Sequence, residues 1–343
     1  MSDSPVLLSI CIATRNRAEA IGPTLDALIA QCGDRAEIVV VDGASTDATP
    51  EVVGNRAREH DCLRYFPQVE NSGIDGDFDK SIALARGEYC WLLSDDDIPL
   101  PGALSRVLKA CAESPEVIVV DAEVYSADLS RPLKPQRMGF SGERRYGAEE
   151  QSRFLMDCGD ALSFIGALII RRSLWLQRER RQYYGTEFVH VGVVFQAALP
   201  GHAIALGMPL LRIRYGVGNW IRRSFEVWMF KWPRLIWSFD HLDSAARARV
   251  TSRRPWLKAA SLLLYRAKGW YTREGHDRLI RPAPGTATEK LLPAIIARLP
   301  GALAWWLAWL SMSLRRDRYA GSLLDLRLSP YAPFSWRKRN NQG

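Results

Sequence analysis

The chain has 343 residues, 47% hydrophobic and 24% charged, with a formal net charge of +8. That balance excludes a disordered chain and leaves room for one large domain or two ordinary ones. The charge is divided: residues 1–211 hold 21 Lys+Arg and 30 Asp+Glu (net −9), residues 212–343 hold 25 and 8 (net +17), so the second half suits an anionic partner, nucleic acid or acidic lipid.

In chain order, residues 6–13 read as a buried strand running into the polar turn Thr14-Arg15-Asn16-Arg17, and the apolar spacing over 21–32 predicts a helix. A second strand, 37–41, ends at Asp42-Gly43-Ala44-Ser45-Thr46-Asp47, and a helix over about 50–60 follows. Strands at 63–66, 88–93 and 117–120 alternate with helices at 78–85 and 101–112. Residues 121–185 are less regular and resemble an insertion or an acceptor-side segment; 161–170 is apolar and returns to the core. Gly185-Thr186-Glu187-Phe188-Val189-His190 precedes a helix reaching about Leu199. Short apolar strands alternating with amphipathic helices predict an α/β fold, a mostly parallel sheet covered on both faces.

Ligands of such sheets sit beyond the carboxyl ends of the strands. Thr14, Asp42 and Asp96 all fall just past predicted strand ends and should share one rim. The third of these ends, Leu93-Ser94-Asp95-Asp96-Asp97, carries three adjacent acids. Such a run is costly to bury without a cation or donors, and it suits Mg²⁺ or Mn²⁺ gripping a diphosphate. A solvated turn or helix start is the other reading. No GxGxxG follows the first strand and no Walker loop is present, which weakens the dinucleotide and P-loop readings.

The six cysteines have no CxxC pair or zinc spacing and are expected to be reduced core thiols of a cytosolic protein. The first residues, Met1-Ser2-Asp3-Ser4-Pro5, lack the basic region and apolar run of a secretory signal, so none is expected. From about residue 216 the character changes. Trp220, Trp228, Trp232 and Trp237 interleave with Arg222, Arg223, Lys231 and Arg234. Residues 301–314 carry no charge, contain Trp305, Trp306 and Trp309, and precede Arg315 and Arg316. Too short for the roughly 20 residues a spanning helix needs, this stretch suits a helix lying in a membrane interface. A buried helix or an oligomer contact is the alternative.

Five ordered stretches (8–17, 39–47, 71–78, 85–89 and 93–97) together resemble the family-2 inverting glycosyltransferases of the GT-A fold, and within them bacterial O-antigen enzymes of the abequosyltransferase type. The resemblance implies a GT-A Rossmann-like catalytic domain over 1–215 and a helical, basic, Trp-rich region over 216–343 that associates with a membrane. It implies a nucleoside-diphosphate sugar donor, a glycan or polyprenyl-linked acceptor, a divalent cation (Mn²⁺ or Mg²⁺), no nucleic-acid partner, and a site on the inner membrane face. Thr14 and Arg15 would line the nucleotide, Asp42 its base or ribose, and Asp95 the ribose or sugar. Asp96 would contact the metal with Asp97 as helper, because Ser94 stands where the first acid of the common DxDD pattern often does. Asp75 and Asp79 would lie near the donor rim, or be solvated helix-start acids. The base would be Glu187 or His190, the latter otherwise a helix-start side chain with a structural hydrogen bond. Arg222 or Arg223 could reach the diphosphate or instead be solvated or meet lipid, and Trp220 could stack on a sugar or sit in a core or interface. A nucleotidyltransferase and a nucleic-acid-binding protein are the competing functions.

Overall fold

The computed structural model describes residues 5–217, 223–313 and 320–333. Trp220 and Arg222, and likewise Arg315 and Arg316, lie outside the described residues. The chain divides into two compact units, Met1–Arg214 with Ser238–Val250, and Tyr215–Trp237 with Thr251–Gly343.

The first unit is built on one mixed sheet. Its strands are β1 (Leu8–Thr14), β2 (Ala36–Asp42), β3 (Leu63–Pro67), β4 (Tyr89–Leu93), β5 (Ile98–Pro99), β6 (Val117–Tyr125), β7 (Pro132–Lys134), β8 (Gly142–Tyr146), β9 (Leu168–Arg171) and β10 (Ala203–Arg214). The order is β3-β2-β1-β4-β9-β6-β10-β5, with β7 on β6 and β8 on β10. The four strands β3-β2-β1-β4 are parallel, β9 runs antiparallel between β4 and β6, and β10 is parallel to β6. Parallel pairing buries both faces, which is why β1, β2 and β4 are buried at every position.

Leu8, Ile10 and Ile12 of β1 pack with Ile21, Leu25, Val53, Leu104 and Val107, which lie on the helices Ala18–Ile29, Thr49–Glu59 and Ala103–Cys111. The helix Ile74–Leu84 packs on β1 and β2; its Phe78 and Ile82 are buried outside that cluster, so helices cover both faces. This helix starts four residues before the expected 78–85, and its first turn carries Asp75 and Asp77. The irregular segment resolves into β7, β8 and the helix Gln151–Leu162, whose Phe154 and Leu155 are buried. Ser238–Val250 returns to this unit: Phe239 meets Phe195 at 5.9 Å between centroids, and a Cβ at Gly159 would lie 2.6 Å from Val250.

The second unit is helical among its described residues. One core gathers Phe225, Trp256, Leu262, Tyr271 and Ile296; another gathers Ala304, Trp305, Ala308 and Leu326. A buried Lys268–Asp325 ion pair, with Nζ and Oδ2 at 2.5 Å, is completed by the Tyr215 hydroxyl donating to Asp325 at 2.7 Å.

Candidate active site

β1, β2 and β4 deliver polar groups to one rim. Thr14 and Asp42 are register partners at the ends of β1 and β2. Thr14 Oγ1 donates to Asp95 Oδ2 at 2.7 Å, joining the end of β1 to the turn after β4. Arg17 closes the group: Nε donates to Asp95 Oδ1 at 3.1 Å and Nη2 to Asp96. Ser94 Oγ donates to Asp96 Oδ1 at 2.7 Å. Arg15 stands exposed beside this group.

The electrostatics follow from burial and crowding. Burial, then the charge of Asp96, push the Asp95 carboxyl up to about 6, against the pull of Arg17 and Thr14. Burial alone would weaken the charge of Arg17, but Asp95 and Asp96 outweigh it and raise its pKa. One guanidinium therefore faces two carboxylates, which leaves net negative charge in a desolvated turn.

Asp42 accepts Ser45 N–H at 2.9 Å, Ser45 Oγ at 2.6 Å and the Tyr65 hydroxyl at 2.7 Å. A carboxylate has about four lone-pair sites, so one remains for a ligand donor. Asn16 (φ 54°) and Ala44 (φ 62°) follow β1 and β2 in the left-handed region, and the two loops interlock through Asn16 Oδ1 accepting Thr46 N–H at 2.8 Å. Glu187 (φ 70°) does the same in the loop before the helix Val189–Phe195. Strained non-glycine backbone of this kind costs roughly 1–3 kcal/mol each and clusters at functional sites.

The helix Ile74–Leu84 joins the donor rim to the Glu187 loop. On one side Asp75 accepts Gly185 N–H (2.8 Å), Glu187 N–H (3.0 Å) and Val189 N–H (3.2 Å). Asp79, one turn on, accepts Trp175 Nε1 at 2.8 Å and the Tyr184 hydroxyl at 2.6 Å. Elsewhere on the helix Asp77 reaches the end of β2, where a Cβ on Gly43 would lie 2.5 Å from Asp77 Oδ2. Gly43 is thus needed for close approach.

Four of the expected site residues are engaged within the fold. The Asp75 carboxylate holds the backbone of the Glu187 loop, and burial raises its pKa despite those bonds. Asp79 is likewise bound to Trp175 and Tyr184. Asp97 is buried and accepts Arg214 N–H at 3.2 Å; burial and Asp96 push its carboxyl well above the usual range. That bond to Arg214 pins the turn to β10. His190 is fully buried, its Nε2 lies 2.8 Å from the Leu162 carbonyl, and burial lowers its pKa to about 4. His190 is thus enclosed, whereas Glu187 stands half-buried at the loop. Arg17 was overlooked as a site residue; the signal was the need of three adjacent acids for a nearby cation.

Among the described residues no group of three or more His, Cys, Asp or Glu is arranged to hold a metal. Asp95 and Asp96 still fit one: two crowded carboxylates with uncompensated charge match Mg²⁺ or Mn²⁺, which take one or two carboxylates plus phosphate oxygens and water.

A partly parallel sheet with acids at its carboxyl rim is the architecture expected of a GT-A fold. Residues 9–176, just under half of the chain, match the model of glycosyl transferase family 2 and form a domain of that family. It is 26% identical over 200 residues to the abequosyltransferase RfbV of Salmonella typhimurium, covering 55% of this chain and 60% of the relative. It is 33% identical over 107 residues to the GalNAc(5)-diNAcBac-PP-undecaprenol beta-1,3-glucosyltransferase of Campylobacter jejuni, covering 31% and 35%. The chain thus spans 60% or less of the length of these curated relatives. The structure of Staphylococcus aureus TarS 1–349 with UDP-GlcNAc superposes with a TM-score of 0.55 over 98% of this chain and 92% of that 1–349 segment, at 17% identity, a likeness of fold. The family match favours sugar transfer over the nucleotidyltransferase and nucleic-acid-binding readings.

Proposed function

We propose that the chain transfers a sugar from a nucleoside-diphosphate donor to a hydroxyl of a lipid-linked glycan in bacterial surface-polysaccharide synthesis, by a single metal-assisted displacement that inverts the anomeric carbon. The observation that carries this reading is the Thr14–Asp95–Arg17–Asp96 group at the rim, linked by one helix to the strained Glu187 loop. One relative, named as acting on an undecaprenol-linked glycan, supports the acceptor class.

Thr14, Arg15 and Asp42 orient the nucleotide. Asp95 and Asp96 would hold the cation, which when bound supplies positive charge to the diphosphate. The acceptor oxygen forms its bond to the anomeric carbon while its proton passes to the Glu187 carboxylate. The bond from that carbon to the diphosphate breaks and its electron pair leaves with the phosphate. Arg17, already charged beside the acids, is placed to take up phosphate charge as it develops.

Thermal unfolding with nucleoside diphosphates, with and without Mn²⁺, tests the donor half. One nucleotide should raise the melting temperature only together with Mn²⁺, and Asp96→Ala should remove that rise. Nucleotide stabilisation that ignores both the metal and Asp96 would sink the reading.

A further inference from the structure

Within the second unit, large apolar side chains crowd the surface of two consecutive helices. On Ala287–Arg298, Leu291 is 61% exposed, with Leu292 and Ile295 close behind; on Gly301–Ser313, Leu303, Trp306, Leu307 and Leu310 are 44–59% exposed. The four positions on the second helix are spaced i, i+3, i+4, i+7, which is one face. The opposite face, Ala304, Trp305, Ala308 and Met312, is the core. The exposed residues are therefore not the frayed edge of a core but a second apolar face. Soluble surfaces rarely keep so apolar a helix face without a partner.

The chemistry of the patch selects the partner. The Gly301–Ser313 helix has no charged side chain. In the Ala287–Arg298 helix the only acid, Glu289, is paired with Arg254 at 2.9 Å. Lys290 and the exposed Arg298 flank the apolar residues, and the unit as a whole holds 21 Lys+Arg against 6 Asp+Glu, net +15. Apolar area alone would also suit a protein, but the surplus of basic charge around it selects an anionic surface. An anionic bilayer asks only for apolar area, a Trp at headgroup depth and surrounding basic charge. No single helix among the described residues is long and apolar enough to cross a membrane, and these two are bent by 107° at their junction. Two axes meeting at a corner define one plane, and insertion parallel to the surface suits them.

We infer that the corner between these helices is a docking surface for an anionic lipid bilayer, entering one leaflet through Leu303, Trp306 and Leu307. It replaces the expectation that Trp305, Trp306 and Trp309 act together, since Trp305 is wholly buried. The inference stands whether or not the first unit transfers sugar.

Co-sedimentation of the full chain with phosphatidylcholine vesicles, with and without phosphatidylglycerol, tests it. The chain should bind the phosphatidylglycerol vesicles, less so at high salt. The combined Leu303→Ser, Trp306→Ser, Leu307→Ser variant should bind roughly tenfold more weakly or worse, with unchanged melting. Brominated lipid should quench Trp fluorescence, and Trp306→Phe alone should remove a share of that quenching, which keeps the test open if the triple variant unfolds. A chain that stays in solution with these vesicles, equal binding by the variant, or a stable dimer that the variant dissolves without any change in vesicle binding would each overturn the inference.

Discussion

The two units handle charge in opposite ways. The first holds 25 Lys+Arg and 32 Asp+Glu (net −7), the second 21 and 6 (net +15). Yet the acids that matter in the first, Asp42, Asp75, Asp77, Asp95, Asp96 and Asp97, are buried, each in a place fixed by named donors. The second unit keeps most of its charge outside and presents apolar area where the first presents polar geometry. Position does the work in one unit and area in the other. A single side chain should therefore decide the first unit's activity, whereas loss of the second unit's surface should be graded.

The sharpest break in that comparison lies at Glu187. Glu187→Gln should lower kcat about a hundredfold to ten-thousandfold while nucleotide affinity holds. Glu187→Gly should lose the same turnover yet stabilise the fold by about 1 kcal/mol, because glycine relieves the φ of 70°. Steady-state kinetics beside denaturant melts read both. Near-normal turnover in either variant would remove the base.

Next in size is a neighbouring pair in the second unit. Trp305 is buried, and its Nε1 donates to the Leu326 carbonyl at 2.7 Å, so Trp305→Ala should cost about 3–5 kcal/mol. Trp306, 53% exposed, should change stability by less than about 0.5 kcal/mol when made Ala. Thermal melts of the two variants separate fold from surface in adjacent residues. Equal losses would erase the distinction between the core and the exposed face.

His190 gives the first unit a pH signature. Its pKa falls from 6.5 to about 4 on burial, so the folded state excludes a proton that the unfolded chain accepts. The stability is complete above about pH 6.5 and is lost as pH falls toward 4, by roughly 3 kcal/mol. His190→Gln keeps a donor for the Leu162 carbonyl and cannot titrate, so urea melts at a series of pH values should show a flatter slope. An unchanged slope would mean that His190 is not enclosed.

The parallel half of the sheet was legible because β1, β2 and β4 are short apolar runs, each ended by polar residues. Thr14, Asp42 and Asp96 could be placed on one rim by that rule alone. β10 escaped notice: Gly207 and Pro209 interrupt it, and its register on β6 shifts at Pro209, so tertiary pairing rather than local pattern makes it a strand. The same limit applies to adjacent identical residues. Nothing local distinguishes Asp96 from Asp97 or Trp305 from Trp306; one turn sends Asp96 to Arg17 and Asp97 to β10, and one helix turns the two indoles to opposite environments. His190, a lone polar residue among valines, looked functional because burial is invisible in sequence.

Asp75 tests how the first unit transmits position. Asp75 accepts three backbone N–H groups of the 185–189 loop, and bonds to an ionised acceptor are individually worth about 1.5–3 kcal/mol. That stabilisation is offset by the desolvation of the carboxylate itself, the largest influence on its raised pKa. Asp75→Ala should therefore cost only about 1–2 kcal/mol, less than three bonds suggest. Its effect on kcat should be larger than its effect on stability, since the freed loop no longer fixes Glu187, and a misplacement of about 1 Å can cost roughly a hundredfold. Asp75→Asn, which keeps one acceptor oxygen, should recover part of kcat. Nucleotide affinity should stay at the native value in both, because Asp75 touches the loop and not the strand ends. A variant that lost nucleotide binding in step with kcat would put Asp75 back on the donor rim.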